Sequence, residues 1–334
     1  MQHINSWPVK IKTKLGSILE KPGAAQKLGL FIFIIVLALG MQSQYPRFLS
    51  LLNIEVMLVN FVTEGIMALG MTIVMITGGI DISIPAVLQF SAILTAMLLV
   101  QGVAIPVAIL ISLIASGIIG FINIFLSNKF DVHPFIVTLA TLLTLRGFNI
   151  IITNAGTITI GVSEFSVLGR GTILDLPHLR WSLFLYFILT IIVGYLLANH
   201  SFLQKAYFIG GNKKSARLLG INVEGFLTVT YIFNSVLAGL AGVVIASQFG
   251  AASVSFGQNA ELRTITIAAI GGASFTGGSG SILGTFLGWL FLAMVYNAFN
   301  MSGIDTYWQD VVIGVLLLLA VFFSEFVQRR KIKK

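Results

Sequence analysis

Cysteine is absent from this 334-residue chain, and charged residues make up only 10% of it. Without cysteine the chain has no disulfide, no thiolate metal site and no cysteine nucleophile. Soluble domains contain about 25% charged residues, whereas 57% of this chain is hydrophobic. The composition therefore excludes a soluble domain and predicts an integral membrane protein.

Catalytic and metal-binding motifs are also lacking. The four histidines, His3, His133, His178 and His200, are scattered along the chain, and their spacing does not match a metal site. No G-x-x-x-x-G-K-[ST] segment occurs, so the chain cannot hydrolyse ATP through a P-loop of its own. An embedded enzyme would need His, Asp or Ser groups converging at one membrane depth. The sequence predicts no enzyme, no metal site and no cofactor bound by this chain.

Long apolar runs define the fold class. Only helices and closed barrels can span lipid, and these runs lack the alternation of barrel strands. The sequence therefore predicts an all-α, polytopic transmembrane bundle. With about 17–25 residues per span and shorter spans inside a bundle, about ten spans are expected, at 28–44, 52–77, 84–101, 103–126, 135–153, 181–199, 225–248, 262–275, 282–299 and 307–326.

The distribution of basic residues predicts the orientation. An even number of spans places both termini on one side, and cytoplasmic termini put 15 of the 20 Lys and Arg residues inside, as the positive-inside rule requires. Membrane topology thus explains the net charge of +8, and no nucleic-acid partner is needed. The expected parts are a basic cytoplasmic tail at 1–27, a membrane domain at 28–326 and a second basic cytoplasmic tail at 327–334. The membrane domain is expected to include an external loop at 154–180 and a cytoplasmic loop at 200–224.

The cytoplasmic loop contains a predicted short helix at 212–220, NKKSARLLG. Asn212 is a good N-cap residue and Gly220 can end the helix. With the period of an α-helix, one face is basic and is formed by Lys213, Lys214 and Arg217. The opposite face is formed by Ser215, Ala216 and Leu219. Such a helix can lie on a membrane surface or insert into the groove of a partner, and the periodicity leaves both open.

Between the second and third spans lies the sequence 77-TGGIDIS-83. The pair Gly78-Gly79 permits a sharp turn and close helix contact. Asp81 and Ser83 can cap the following helix, which Pro85 is expected to begin. The alternative is a discontinuous helix that lines a solute pathway.

Other polar residues occur within the predicted spans. Glu64 lies mid-span, where a carboxylate must face the bundle interior or water, and Arg146 is a possible counter-charge. A functional site and a structural ion pair remain equally open for Glu64. The neutral residues Gln89, Asn123 and Asn297 can bind solute hydroxyls or link helices.

A second glycine-rich stretch, 271-GGASFTGGSGSILGTFLG-288, follows the eighth span. Gly280, Gly284 and Gly288 are spaced four apart, which predicts one stripe for helix contact. Gly271 and Gly272 are likewise expected to serve helix packing.

Five segments carry a resemblance: GMTIVMITGGIDIS, FIVTLATLLTLRG, GGNKKSARLLGINV, TITIAAIGGASFTGGSGSILGT and WQDVVIGVLLLLAV. Together and in this order they resemble the permease subunit of ribose-type ABC sugar importers, from about residue 50 to 325. The chain departs from the family at 82-ISIPAV-87, where a Leu-Ser-Val-Gly pattern is usual. Similar permeases also serve autoinducer, polyol and nucleoside uptake, so the resemblance does not specify the solute.

The resemblance implies a multi-subunit importer in a bacterial inner membrane. It implies that helix 212–220 docks into a separate ATPase subunit, which binds ATP and Mg, and that the GGID segment helps shape the pathway. It further implies a second permease subunit, surrounding membrane lipid and an extracytoplasmic binding protein that delivers the solute. The competing hypothesis is an ion-coupled secondary transporter in which Glu64 or Asp81 carries a proton.

Overall fold

The computed structural model describes residues 23–176, 178–305 and 307–332. The first 22 residues of the predicted tail 1–27 lie outside the described part of the chain, as do the last two residues of the tail 327–334.

Helices dominate the described chain, which confirms the predicted all-α membrane fold. The helices of the N-terminal half are α1 Ala24–Gln44, α2 Leu51–Asn60, α3 Val62–Ile76, α4 Ile84–Val100, α5 Ile105–Phe130 and α6 Pro134–Thr153. Those that follow are α7 Val167–Arg170, α8 Trp181–Asn199, α9 Ser201–Gly211, α10 Lys213–Leu218, α11 Val223–Phe249, α12 Ala260–Ile270, α13 Ile282–Ser302 and α14 Tyr307–Ile332.

A two-stranded antiparallel sheet ties the segment after α6 to the segment after α11. Its strands are β1 Ile158–Thr159 and β2 Ala251–Ala252, with Ile158 opposite Ala252. Two 3₁₀ turns, Ser163–Ser166 and Ile173–Asp175, flank α7. The long loop before α8 is therefore structured and packs on the end of α11.

The centre of the bundle is α3, in which every residue is buried. Its sequence VTEGIMALGMTIVMI is apolar on nearly all sides, as expected for a helix surrounded by others. The 27-residue α11 packs along α3, α4 and α5. These contacts place the polar residues of α3 inside the protein rather than against lipid.

The predicted second span, 52–77, is bent by 51° between α2 and α3. Phe61 lies at the bend, where the helical hydrogen-bond ladder is interrupted. The buried Trp289 donates from Nε1 to the Phe61 carbonyl oxygen at 2.6 Å. That oxygen also accepts from the Gly65 N–H at 3.0 Å, so the Trp289 bond ties the start of α3 to α13.

Among the described residues, six helices are long and apolar enough to cross a membrane, or seven if the bent pair counts as one span. Shorter apolar helices occupy the predicted third and tenth spans. The continuous eighth span predicted at 262–275 is wrong, because α12 ends at Ile270 after 11 residues and is followed by turns and irregular backbone. Glycines at 271 and 272 break the apolar pattern at this point.

Close backbone contact joins α12 to α13. A Cβ added to Gly284 would lie 1.8 Å from the carbonyl oxygen of Gly271, and one added to Gly288 would lie 2.3 Å from that of Ile267. Gly272 instead lies beside Gln26 of α1. The predicted stripe is wrong for Gly280, which precedes the start of α13 and contacts the Ile76 side chain.

Candidate functional site

Asp81 lies in the non-helical segment between α3 and α4 and is fully buried. Its Oδ1 accepts hydrogen bonds from the Ser83 backbone N–H at 3.0 Å and from Ser83 Oγ at 2.6 Å. Asn234 of α11 donates from Nδ2 to Oδ2 at 3.0 Å. The carboxylate therefore closes its own turn, in the manner of an Asx turn, and fixes this turn to α11.

The network extends from Ser83 into two further helices. Asn123 of α5 donates to Ser83 Oγ at 3.0 Å, and Thr141 of α6 donates to Asn123 Oδ1 at 2.6 Å. Three of the predicted pathway residues, Asp81, Ser83 and Asn123, thus come together in one buried network. These bonds tie the break between α3 and α4 to α5, α6 and α11.

Gln89 of α4 holds a different segment, the loop between α11 and α12. Its Nε2 donates to the carbonyl oxygens of Val254 at 2.5 Å and Phe256 at 2.9 Å. Its Oε1 accepts from Asn149 Nδ2 at 3.2 Å. The Gln89 side chain therefore fixes this loop against α4 and α6.

Glu64, at the start of α3, forms an ion pair with Arg263 of α12. The Arg263 Nε and Nη2 atoms lie 3.1 and 3.0 Å from Glu64 Oε1, and Thr63 Oγ1 donates to Glu64 Oε2 at 2.8 Å. An unpaired carboxylate would be costly at this depth, and the guanidinium compensates its charge.

The predicted pairing of Glu64 with Arg146 is wrong. Arg146 of α6 instead pairs with Glu261, with Nη2 3.2 Å from Oε2. Glu261 and Arg263 are two residues apart on α12, so their side chains point to different sides of that helix and meet α6 and α3 respectively. Sequence reasoning missed Arg263 as a partner, although a charge inside a predicted span was a sufficient signal.

The Glu64–Arg263 pair lines a cavity of about 250 Å³ between α3, α11 and α12. Its polar lining is completed by Asn60, Thr63 and Gln248. Asn60 is exposed to solvent, so the cavity lies next to the protein surface at the bend between α2 and α3. Asn297 lies elsewhere, on α13, where its Nδ2 is 3.8 Å from the sulfur of Met301.

The predicted helix at 212–220 forms α10. Asn212 accepts a hydrogen bond from the Ser215 backbone N–H at 3.0 Å, as an N-cap does. The predicted small-residue face is wrong in one member, because Ala216 is buried in this chain's own core. The exposed apolar residues here are Leu218, the last residue of α10, and Leu219, which follows it, with exposed fractions of 89% and 72%.

Charged residues surround that exposed pair. Lys213 and Lys214 are exposed, and Arg217 forms an ion pair with Glu224 at 2.5 Å. Gly220 follows α10 with a φ of 78°, a conformation that favours glycine. The segment 213–220 thus presents two exposed leucines and two exposed lysines.

The helix α9, which precedes α10, packs directly on the end of α3. A Cβ added to Gly210 would lie 1.8 Å from the Ile76 carbonyl oxygen, and the Gly278 N–H donates to that same oxygen at 2.8 Å. Tyr207 donates from Oη to the Gly280 carbonyl oxygen at 3.1 Å. Burial raises the pKa of Tyr207.

Of the two predicted glycines of the GGID segment, Gly78 belongs to this junction and Gly79 contacts α11. A Cβ added to Gly78 would lie 3.4 Å from the Thr276 carbonyl oxygen, and one added to Gly79 would lie 2.7 Å from Tyr231 Oη. We call the meeting of α9, the end of α3 and the 271–281 segment the glycine junction. It brings α9, the helix before α10, into contact with the backbone that leads to Asp81.

Comparison with known proteins identifies similar permeases. The chain is 36% identical over 304 residues to the ribose import permease protein RbsC of Bacillus subtilis, covering 90% of this chain and 94% of that protein. It is 32% identical to the D-allose transport system permease protein AlsC of Escherichia coli, covering 90% and 91%. It is 29% identical to the L-arabinose ABC transporter permease protein AraH of Azospirillum brasilense, covering 91% and 90%.

No solved structure matches the chain. The resemblance to sugar importer permeases seen in the sequence is confirmed, and the relatives are transport subunits rather than enzymes. Residues 53–321, most of the chain, match a single family of permeases. The chain therefore belongs to the branched-chain amino acid transport system / permease component family.

Proposed function

We propose that this protein is the membrane-spanning permease subunit of an ATP-driven ABC importer that translocates a sugar or sugar-like solute. The observation that carries the proposal is the 36% identity to a ribose import permease over 90% of the chain. Relatives named for allose and arabinose support the same substrate class at 32% and 29% identity. An extracytoplasmic binding protein delivers the solute.

A separate ATPase subunit drives transport and docks on α10. The exposed Leu218 and Leu219 offer an apolar contact, and the surrounding basic residues favour a partner with acidic or polar rims. ATP and Mg belong to that partner, since this chain has no P-loop. The glycine junction gives ATP-driven movement of α10 a direct route to α3 and the GGID segment, which is the coupling that alternating access requires.

The assembly lies in a bacterial inner membrane with both termini in the cytoplasm. Ten crossings, a membrane domain at 28–326, cytoplasmic loop 200–224 and external loop 154–180 agree with the distribution of Lys and Arg. A second permease subunit, identical or related, encloses the pathway with this one, and lipid covers the remaining apolar surface. Candidate pathway residues are Glu64, Gly78, Gly79, Asp81, Ser83, Gln89, Asn123, Arg146 and Asn297.

The alternative is an ion-coupled secondary transporter with Glu64 or Asp81 as the proton carrier. The structure disfavours it, because Glu64 is held by Arg263 and Asp81 by three hydrogen bonds. Mass spectrometry of proteins that co-purify in mild detergent tests the choice. We expect a P-loop ATPase near one-to-one and a solute-binding protein. Isolation of the chain alone, with uptake driven by an ion gradient in ATP-free vesicles, would refute the importer.

A further inference from the structure

The cavity beside the Glu64–Arg263 pair combines features that a purely structural ion pair does not need. The pair is not packed on all sides but borders about 250 Å³ of space, enough for roughly eight water molecules at ~30 Å³ each. Three neutral polar residues, Asn60, Thr63 and Gln248, line the same space. Polar groups converging on a cavity are typical of a ligand site.

The chemistry of the lining indicates the kind of ligand. A carboxylate only accepts hydrogen bonds and a guanidinium only donates them, while a hydroxyl does both. The pair has no net charge, so a charged solute would meet one repulsive partner whichever sign it carried. A neutral polyhydroxylated molecule can instead satisfy both members at once through neighbouring hydroxyls.

We propose that this cavity is a binding site for one neutral monosaccharide, in which Glu64 and Arg263 hydrogen-bond to sugar hydroxyls. The proposal rests on the proposed function, because it takes the importer's solute as the ligand. It adds that the permease itself recognises the solute, in addition to the binding protein. The exposed Asn60 marks the side from which the sugar enters, next to the bend between α2 and α3.

The absence of cysteine permits a direct test by site-directed labelling. Thr63→Cys places a single thiol in the cavity, and Ser255→Cys places one on the exposed surface of the loop between α11 and α12. The purified importer is treated with a small thiol reagent, with or without saturating D-ribose, D-allose or L-arabinose. We expect one of these sugars to slow labelling at Thr63→Cys by about threefold or more, with no change at Ser255→Cys.

Two charge-neutralising substitutions then separate binding from general stability. In the Thr63→Cys background, Glu64→Gln should remove the protection by sugar. Glu261→Gln breaks the other α12 ion pair, with Arg146, and should leave the protection intact. Protection that survives Glu64→Gln, or that both substitutions remove equally, overturns the role of the Glu64–Arg263 pair.

ATP-driven uptake by the same preparation distinguishes this proposal from the proposed function. If the three sugars are imported with ATP but none protects Thr63→Cys, the site is refuted and the importer stands. If the Thr63→Cys chain fails to fold, the same labelling is measured with Asn60→Cys, at the exposed rim of the cavity. An unreactive thiol at both positions would show a cavity closed to solutes and also refute the site. Absence of ATP-driven uptake of any sugar would refute both proposals.

Discussion

Asp81 is a carboxylate with no exposed surface, and three hydrogen-bond donors surround it. Two donors come from Ser83 and one from Asn234, so the residue links the start of α4 to the middle of α11. A buried group left without its partner costs about 1–3 kcal/mol, and more if it is charged. The pairing of Asp81 with Asn234 is therefore the point at which a single substitution should act most strongly on this network.

Exchanging the two side chains tests that pairing. Asn234→Asp places a second carboxylate against Asp81, and we expect a loss of at least about 1–3 kcal/mol in stability. The double substitution Asp81→Asn with Asn234→Asp restores one amide and one carboxylate, so it should recover part of the loss. Thermal unfolding midpoints in detergent measure both. A double variant no more stable than Asn234→Asp would show that the Asp81–Asn234 bond contributes little.

The polar residues themselves could be predicted from the sequence, but their partners could not. Glu64 and Arg146 stand out as charges within apolar spans, yet each pairs with a residue of α12. Pairing depends on which faces of α3, α6 and α12 meet, and the apolar sequence of α3 contains no stripe that would orient it. The interior of a fully surrounded helix is therefore the least predictable part of the site.

The helix α9 makes a close backbone contact with the core. Gly210 leaves no room for a Cβ beside the Ile76 carbonyl oxygen, whereas nothing lies within 4 Å of a Cβ at the adjacent Gly211. We expect Gly210→Ala to push α9 from α3 and to reduce ATP-driven uptake at least about tenfold, a loss equivalent to about 1.4 kcal/mol. Gly211→Ala should retain uptake. Equal uptake by the two variants, measured in proteoliposomes, would mean that the glycine junction does not couple α10 to α3.

The exposed end of α10 is expected to bind the ATPase. Leu218→Asp places a charge in the proposed apolar contact and should weaken ATPase binding about tenfold or more, since desolvating a charge in an interface is costly. Leu174→Asp is a matched control, because Leu174 has a similar exposed fraction, 86% against 89%, and lies in the loop before α8. Co-purification of the ATPase with each variant measures the effect. Full recovery with Leu218→Asp would place the docking surface elsewhere.

The positions of most helices could be predicted from the sequence. The ends of helices could be predicted only where a specific residue marks them. Asn212 begins α10 and a left-handed glycine follows it. The bend at Phe61 was not predictable, because no proline marks it and its contact with Trp289 joins residues 228 positions apart. The early end of α12 was missed because the apolar run continues beyond the glycines at 271 and 272.

For the whole molecule, the central position of α3 explains why its sequence is almost uniformly apolar. Every residue of α3 is buried, and the polar atoms of Glu64 and Thr72 have protein partners, Arg263 and Thr285. Lipid can cover only the outer helices, and of these α1 is largely exposed. The bundle thus consists of a buried helix with its neighbours and an outer layer that faces the membrane.

The number of crossings determines which side each loop occupies, and α12 decides that number because it is too short to span alone. Because the chain lacks cysteine, single cysteines introduced at Ser17, Ser215, Ser255 and Lys334 show on which side of the membrane each position lies. With ten crossings, an impermeant maleimide should label Ser255→Cys in intact cells and the other three variants only after permeabilisation. If α12 and the 271–281 segment return to the outer side, α13 and α14 invert and Lys334→Cys becomes reactive from outside. That result would also separate the glycine junction from the cytoplasm and so contradict its proposed role in coupling to the ATPase.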